Sequence, residues 1–172
     1  RVLGGKVTAT TSDSTTGRGG AIYLRDSGTL NISGGYISSG TVDDVGACIY
    51  VESKGIVNLS GDGSADQIYF AGSTASTLTI SGKYTGKQDL KFKTTPALGA
   101  AIGKASNAEI LKENITINGT TMCAAVSGSN LVTANLTGAS VTDSEGKVTY
   151  FDTLAEAAAA AKNGDTIKLL AD

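Results

Sequence analysis

Apolar and polar residues alternate with a period of two through short runs separated by glycines, and the runs recur. Gly17 to Ile37 reads GRGGAIYLRDSGTLNISGGYI, and Gly46 to Gly61 reads GACIYVESKGIVNLSG. Ile22-Tyr23 returns as Ile49-Tyr50, and Leu30-Asn31-Ile32-Ser33-Gly34 returns as Val57-Asn58-Leu59-Ser60-Gly61, each matched position 27 residues on. Alternation sends Leu30 and Ile32 to one face of a strand and Thr29, Asn31 and Ser33 to the other. Each unit therefore reads as two or three short strands with one apolar side.

Self-similarity at this spacing decides the fold class before any single motif does. A third pair, Ile68-Tyr69, is followed by Leu78-Thr79-Ile80-Ser81-Gly82, so the step from first element to second is 8, 8 and then 10 residues. A fourth copy is expected in Ala100-Ala101-Ile102 with Ile115-Thr116-Ile117-Asn118-Gly119. Val2-Leu3-Gly4-Gly5-Lys6-Val7 matches Ile32 to Ile37, so the chain opens partway through a repeat. A strand pair this short cannot bury its apolar side alone. If copies stack in parallel, Ile22, Ile49 and Ile68 lie over one another in a continuous core. The expected fold is all-β: a parallel β-helix, or solenoid, over residues 1–140. Its variable repeat length, 27 and then 19 residues between Ile-Tyr pairs, would be absorbed at corners bulging at Thr41–Val45 and Ser64–Gln67.

Residues 141–172 read differently, as a short hairpin, helix and strand. Val141 to Asp143 and Gly146 to Phe151 flank the turn Asp143-Ser144-Glu145-Gly146. Thr153 and Glu156 have capping-box spacing, which predicts a helix over about 153–162 ended by Asn163-Gly164, and Asp165 to Leu170 has the composition of a strand.

Composition agrees with many short strands: 23 of 172 residues are Gly, 5% are aromatic and 17% charged. A net charge of −2 with three arginines, Arg1, Arg18 and Arg25, provides no basic stripe for nucleic acid. The longest apolar run, LAEAAAAA at Leu154–Ala161, is far short of the ~20 residues that cross a bilayer and contains Glu156, so no membrane insertion is expected. The first residues are Arg-Val-Leu rather than Met, which suggests a piece of a longer chain whose flanking modules would be its neighbours, residues 141–172 either opening the next module or covering this one. Cys48 and Cys123 match no metal spacing and are either one disulfide or two separate buried thiols. The sequons at Asn31, Asn58, Asn114, Asn118 and Asn135 are what alternating Asn, Ser and Thr produce on their own.

GGAIYL followed by GTLNISGG, and GACIYV followed by GIVNLSGD, resemble the Gly-Gly-Ala-Ile repeats of bacterial surface β-helix proteins. These include large adhesin-like proteins of Gram-positive gut bacteria and the autotransported polymorphic membrane proteins. The resemblance covers roughly Arg1 to Gly119 and is densest from Gly19 to Gly82, without the Phe-x-x-Asn partner motif of the autotransported group. It implies a right-handed, pectate-lyase-like parallel β-helix, an extracellular or cell-surface location and an adhesin-like role. The tail YFDTLAEAAAAAKNGDTIKLLAD resembles the segment that opens a β-helix in such proteins, which implies a helix covering an exposed core with Leu154, Ala158 and Ala161.

With no histidine anywhere, Ser-His-Asp and Cys-His chemistry is excluded. Asp43, Asp44, Asp62 and Asp66 are the only candidates for a carbohydrate-active enzyme of this fold, a lyase or glycosidase, or a remnant of one. Neighbouring residues on a strand point to opposite faces, so Asp43 and Asp44 could converge only in a turn. Gly17-x-Gly19-Gly20 does not open a helix as a phosphate loop would, and the Thr-rich run from Thr8 to Thr16 occurs once, where an ice-binding array needs repetition. No catalytic residue, metal or cofactor is assigned. If the isoleucines face inward, Tyr23, Tyr50 and Tyr69 face outward as a ladder at the ~4.8 Å strand spacing. That ladder is the candidate binding surface for a glycan or host protein on a non-catalytic stalk or adhesive module.

Overall fold

Ile22 pairs with Ile49 and Ile49 with Ile68 on three parallel strands, so recurrence in the sequence is adjacency in space. The computed structural model describes residues 6–9, 20–24, 27–39, 48–52, 54–72, 78–136 and 138–170. By their contacts these fall into two compact units, Arg1–Ala134 and Asn135–Asp172. Arg1, Arg18, Arg25, Asp43, Asp44, Gly17, Gly19, most of the Thr-rich run and the Thr41–Val45 corner lie outside the described residues.

The first unit is a parallel β-solenoid of about three turns. In chain order, β1 (Lys6–Ala9) precedes a turn made of β2 (Ile22–Leu24), β3 (Thr29–Ile32) and β4 (Tyr36–Ser39). The next turn has β5 (Ile49–Val51), β6 (Ile56–Gly61) and β7 (Ser64–Ala65). After it come β8 (Ile68–Phe70), β9 (Leu78–Tyr84), β10 (Gln88–Phe92), β11 (Ala101–Glu109), β12 (Ile115–Ile117), β13 (Met122–Ser127) and β14 (Asn130–Asn135). The first face stacks β2, β5, β8, β10 and β12 in parallel, the second stacks β3, β6, β9 and β11, and the third holds β1, β4 and β7. The first and second faces each send two apolar columns inward, such as Leu30-Val57-Leu78 beside Ile32-Leu59-Ile80 on the second. Ile49, Ile68 and Leu90 are fully buried on the first face, Leu59 and Ile80 on the second, and Ile37 on the third.

The stacking of the first three copies is as the repeats predict, and so is Lys6-Val7 over Tyr36-Ile37. The fourth copy is not. Leu90 of β10, in a strand with no Ile-Tyr signature, holds the station above Ile68, and Ile117 pairs with Leu90 on the same face. Ala101–Glu109 belongs instead to the second face, where Ala105 pairs with Ile80. An inward station demands only apolar character, so Asp-Leu-Lys-Phe fills it as well as Ile-Tyr does. Ser64 and Ala65 are also not a corner bulge: they form β7 and pair with Tyr36 and Ile37.

The third face stops at β7. Its open edge is satisfied by a side chain: buried Gln88 accepts from Ala65 N at 2.9 Å and donates to Ala65 O at 3.2 Å, standing in for the missing strand. Buried Asn114 does similar service one turn on, donating to Gly86 O at 3.0 Å and accepting from Leu111 N at 2.7 Å. Gly63 sits where a Cβ would lie 2.8 Å from the backbone of Ile32 and Gly34, and only glycine allows the turns to approach so closely.

The coils do not run parallel to residue 140. β13 turns back antiparallel to β12, with Cys123 opposite Thr116, and β14 pairs antiparallel with β11, with Asn130 opposite Lys104. This hairpin joins the first and second faces into one sheet of eleven strands. An open solenoid end is an unpaired edge, and here two antiparallel strands close it.

The second unit has β15 (Ala139–Thr142) between β16 (Val148–Phe151) and β17 (Thr166–Leu169), both antiparallel to it, and a helix, α1 (Leu154–Ala160). The expected capping box is present: Thr153 Oγ accepts from Glu156 N at 3.2 Å and Glu156 accepts from Thr153 N at 3.2 Å. The helix buries Ala157 against Ala139 and Val141, with Phe151 and Ala161 alongside. Leu154 and Ala158, expected on the covering face, are exposed. The 3.6-residue period places Ala157 with Ala161 on one stripe and turns Ala158 away from it.

Candidate functional site: the outward column of tyrosines

With isoleucine inward, alternation forces the next residue outward, and Tyr23, Tyr50 and Tyr69 pair in register on β2, β5 and β8. The rings of Tyr23 and Tyr50 meet edge to face, centroids 5.5 Å apart at 77°, and those of Tyr50 and Tyr69 are 5.1 Å apart at 38°. The spacing follows the strand ladder, and such pairs stabilise neighbouring strands as well as offering ring surface. Exposure is graded along the column. Tyr23 is 40% exposed, Tyr50 is half-buried and Tyr69 is 8% exposed. The accessible platform is therefore Tyr23 with part of Tyr50. Tyr23 donates its hydroxyl to Glu52 at the end of β5, which fixes the ring at the rim. Lys91 continues the column beyond Tyr69.

Beside this column stands a carboxylate that hydrophobic patterning does not reveal. Asp89 accepts from Gln67 Nε2 at 2.8 Å, Thr116 Oγ1 at 3.1 Å and Asn118 Nδ2 at 2.8 Å, tying three successive rungs together. On the second face Asn58 Nδ2 donates to Asn31 Oδ1 at 2.8 Å, and these amides line a shallow polar groove with Ser33, Ser60 and Ser81. The sequence signal for both is the polar member of each alternating pair, read column by column instead of along the chain.

The acidic candidates are dispersed. Asp66 accepts from the Tyr36 hydroxyl and from Ser39 N at 2.9 Å, joining one turn to the turn before. Asp62 is an exposed turn residue. Among the described residues no group of three or more Cys, Asp or Glu side chains is placed to hold a metal ion. Cys48 and Cys123 are buried, free thiols, directed at the carbonyls of Ile37 and Ala134, each at 3.5 Å. Burial pushes both thiols above the ordinary range, which suits packing better than nucleophilic chemistry.

Several acidic protons are held more firmly in the folded chain than in the unfolded one. Tyr36 is pushed up to about 12, first by its hydrogen bond to Asp66 and then by burial and the charge of Asp66. Tyr84 is pushed up by burial and by Asp62, and its hydroxyl donates to Gly63 O at 2.9 Å. Tyr69 is raised by burial and by Tyr50. Below pH ~9 both states keep these tyrosine protons, and their contribution to stability is complete. Above it the unfolded chain releases its protons first, so stability falls as pH rises. Urea midpoints should begin to fall near pH ~8, where the thiols of Cys48 and Cys123 ionise first in the unfolded chain, and decline further to pH ~11 as the tyrosines follow; a midpoint constant or rising across the alkaline range would contradict the assignment.

Comparison with known proteins finds no family model, no curated protein and no solved structure that matches this chain.

Proposed function

We propose that the chain is a non-catalytic stalk or adhesive binding module of a bacterial surface or secreted protein, a solenoid that offers its tyrosine-bearing face to a glycan or a host protein. The observation that carries the reading is the in-register column of Tyr23, Tyr50 and Tyr69 on the outward side of the first face, rings 5.5 and 5.1 Å apart. Tyrosine has a large contact area, few rotatable bonds and a polar tip, a combination enriched in binding surfaces. The paired amides and carboxylates around it are engaged with one another across rungs, which suits rigid presentation. Rigidity lowers the ordering penalty on binding.

The test is a glycan and host-protein array probed with the chain and with a Tyr23→Ser, Tyr50→Ser variant, with circular dichroism to check folding. Both residues retain accessible surface, so the fold should survive. Binding to any captured ligand should weaken about tenfold or more, as the loss of one aromatic anchor predicts. Unchanged binding of the folded variant would refute the tyrosine surface. The enzyme reading rests on Asp62 and Asp66 among the described residues, and no geometric observation favours it; release of reducing or unsaturated sugars from a polysaccharide panel would.

A further inference from the structure

Where the third face ends, the solenoid has a step. β4 and β7 continue that face through two turns, and below β7 the next rungs are replaced by the corners that lead into β10 and β12. The step is an open groove of about 370 Å³, within the range of ligand clefts. Its backbone edges are already satisfied by Gln88 and Asn114, so the chemistry it presents is that of its other side chains. Tyr36, 41% exposed, stands at one end; Asp66, Lys87, Asp89, Glu113 and Thr116 line the rest.

These groups are oriented and incompletely used. Asp66 accepts one bond on each oxygen, from Tyr36 and from Ser39 N, and a carboxylate has about four acceptor positions. Among the described residues Asp89 Oδ1 accepts from Thr116 at 3.1 Å, and Lys87 Nζ, which carries three N–H groups, donates to Glu113 O at 3.1 Å. The groove thus places fixed acceptors and fixed donors beside an aromatic ring. A ring of hydroxyls, each of which both donates and accepts, matches such a set. Three carboxylates against one ammonium make the groove net negative, which disfavours uronic or sulfated sugars, and Lys87 stands in the way of a basic peptide.

We propose that this groove is a saccharide-binding subsite for uncharged sugars, separate from the tyrosine column and independent of what that column binds. Backbone amide shifts of the full chain would be followed on titration with cellohexaose, xylohexaose, mannohexaose and chitohexaose, and with a polylysine peptide and an oligogalacturonate for contrast. At least one neutral oligosaccharide should shift Tyr36, Asp66, Lys87 and Thr116. Lys87→Met and Thr116→Val should each weaken it several-fold and together about tenfold or more, whereas the Tyr23→Ser, Tyr50→Ser variant should bind it as before. Shift mapping on the unaltered chain keeps the result readable if a variant folds poorly. No shift at these residues with any of the four neutral probes, or shifts there with only the charged ones, would overturn the proposal. Loss of binding in the tyrosine variant with the groove unshifted would also overturn it.

Discussion

Ile68→Ala is expected to lower the free energy of unfolding by about 3–5 kcal/mol, the upper part of the range for truncating a buried aliphatic side chain. Ile68 is fully buried in the middle of its column, with Ile49 on one side and Leu90 on the other. The penalty has two parts. The removed carbons lose their transfer free energy, and the space they leave cannot collapse, because the flanking strands are held apart at the ~4.8 Å ladder spacing. Five of the six tyrosines lie in the solenoid, so urea unfolding followed by tyrosine fluorescence reports on that unit. A loss below about 1 kcal/mol would mean that this position is not in a closed core.

Gln88→Ala is expected to cost about 2–4 kcal/mol, more than most polar-to-alanine changes. The residue is 2% exposed, and its amide satisfies both the N–H and the carbonyl of Ala65 and donates a third bond to Asp89 O at 2.9 Å. Truncation leaves a donor and an acceptor on the edge of β7 without partners, at ~1–3 kcal/mol each where water does not reach them. Gln88→Glu separates shape from chemistry. It keeps the volume and the acceptor for Ala65 N but replaces the donor with an oxygen facing Ala65 O, so it should be nearly as damaging. If urea unfolding shows both variants within 0.5 kcal/mol of the original chain, taken as ~0.5 for an ordinary surface change, the amide is not acting as a strand.

The solenoid was legible where inward and outward residues both repeat. Ile-Tyr followed by Leu-Asn-Ile-Ser-Gly keeps the same pair of faces three times, and the structure stacks those copies in the register the spacing implies. It became illegible where only the inward constraint persists. β10 keeps Gln88 and Leu90 facing inward but carries Asp89 and Lys91 outward, and nothing in those outward residues marks the strand as a copy. The closing hairpin was invisible for a related reason: antiparallel return and parallel stacking require the same alternation, and only the short connection at Gly128, at φ 60°, separates them. The helix was read correctly from its capping box, yet its buried stripe was assigned to the larger Leu154 when the small Ala157 is what fits against β15.

For the candidate site, alternation sufficed to put Tyr23, Tyr50 and Tyr69 in one column, but not to grade their exposure, since that depends on what flanks each ring. The groove at the end of the third face had no signature at all. It exists because a strand is missing, and its side chains come from four separate segments of the chain.

Methyl-to-methyl nuclear Overhauser contacts among isoleucines, in chain labelled only at Ile δ1, test the winding most directly. Ile49 should contact both Ile22 and Ile68, while Ile22 and Ile68, two rungs and ~9.6 Å apart, should give at most a faint cross-peak. Isoleucine contacts that instead join Ile22 to Ile32 and Ile68 to Ile80 in antiparallel register, with none between Ile22 and Ile49, would describe consecutive hairpins of a sandwich and contradict the solenoid.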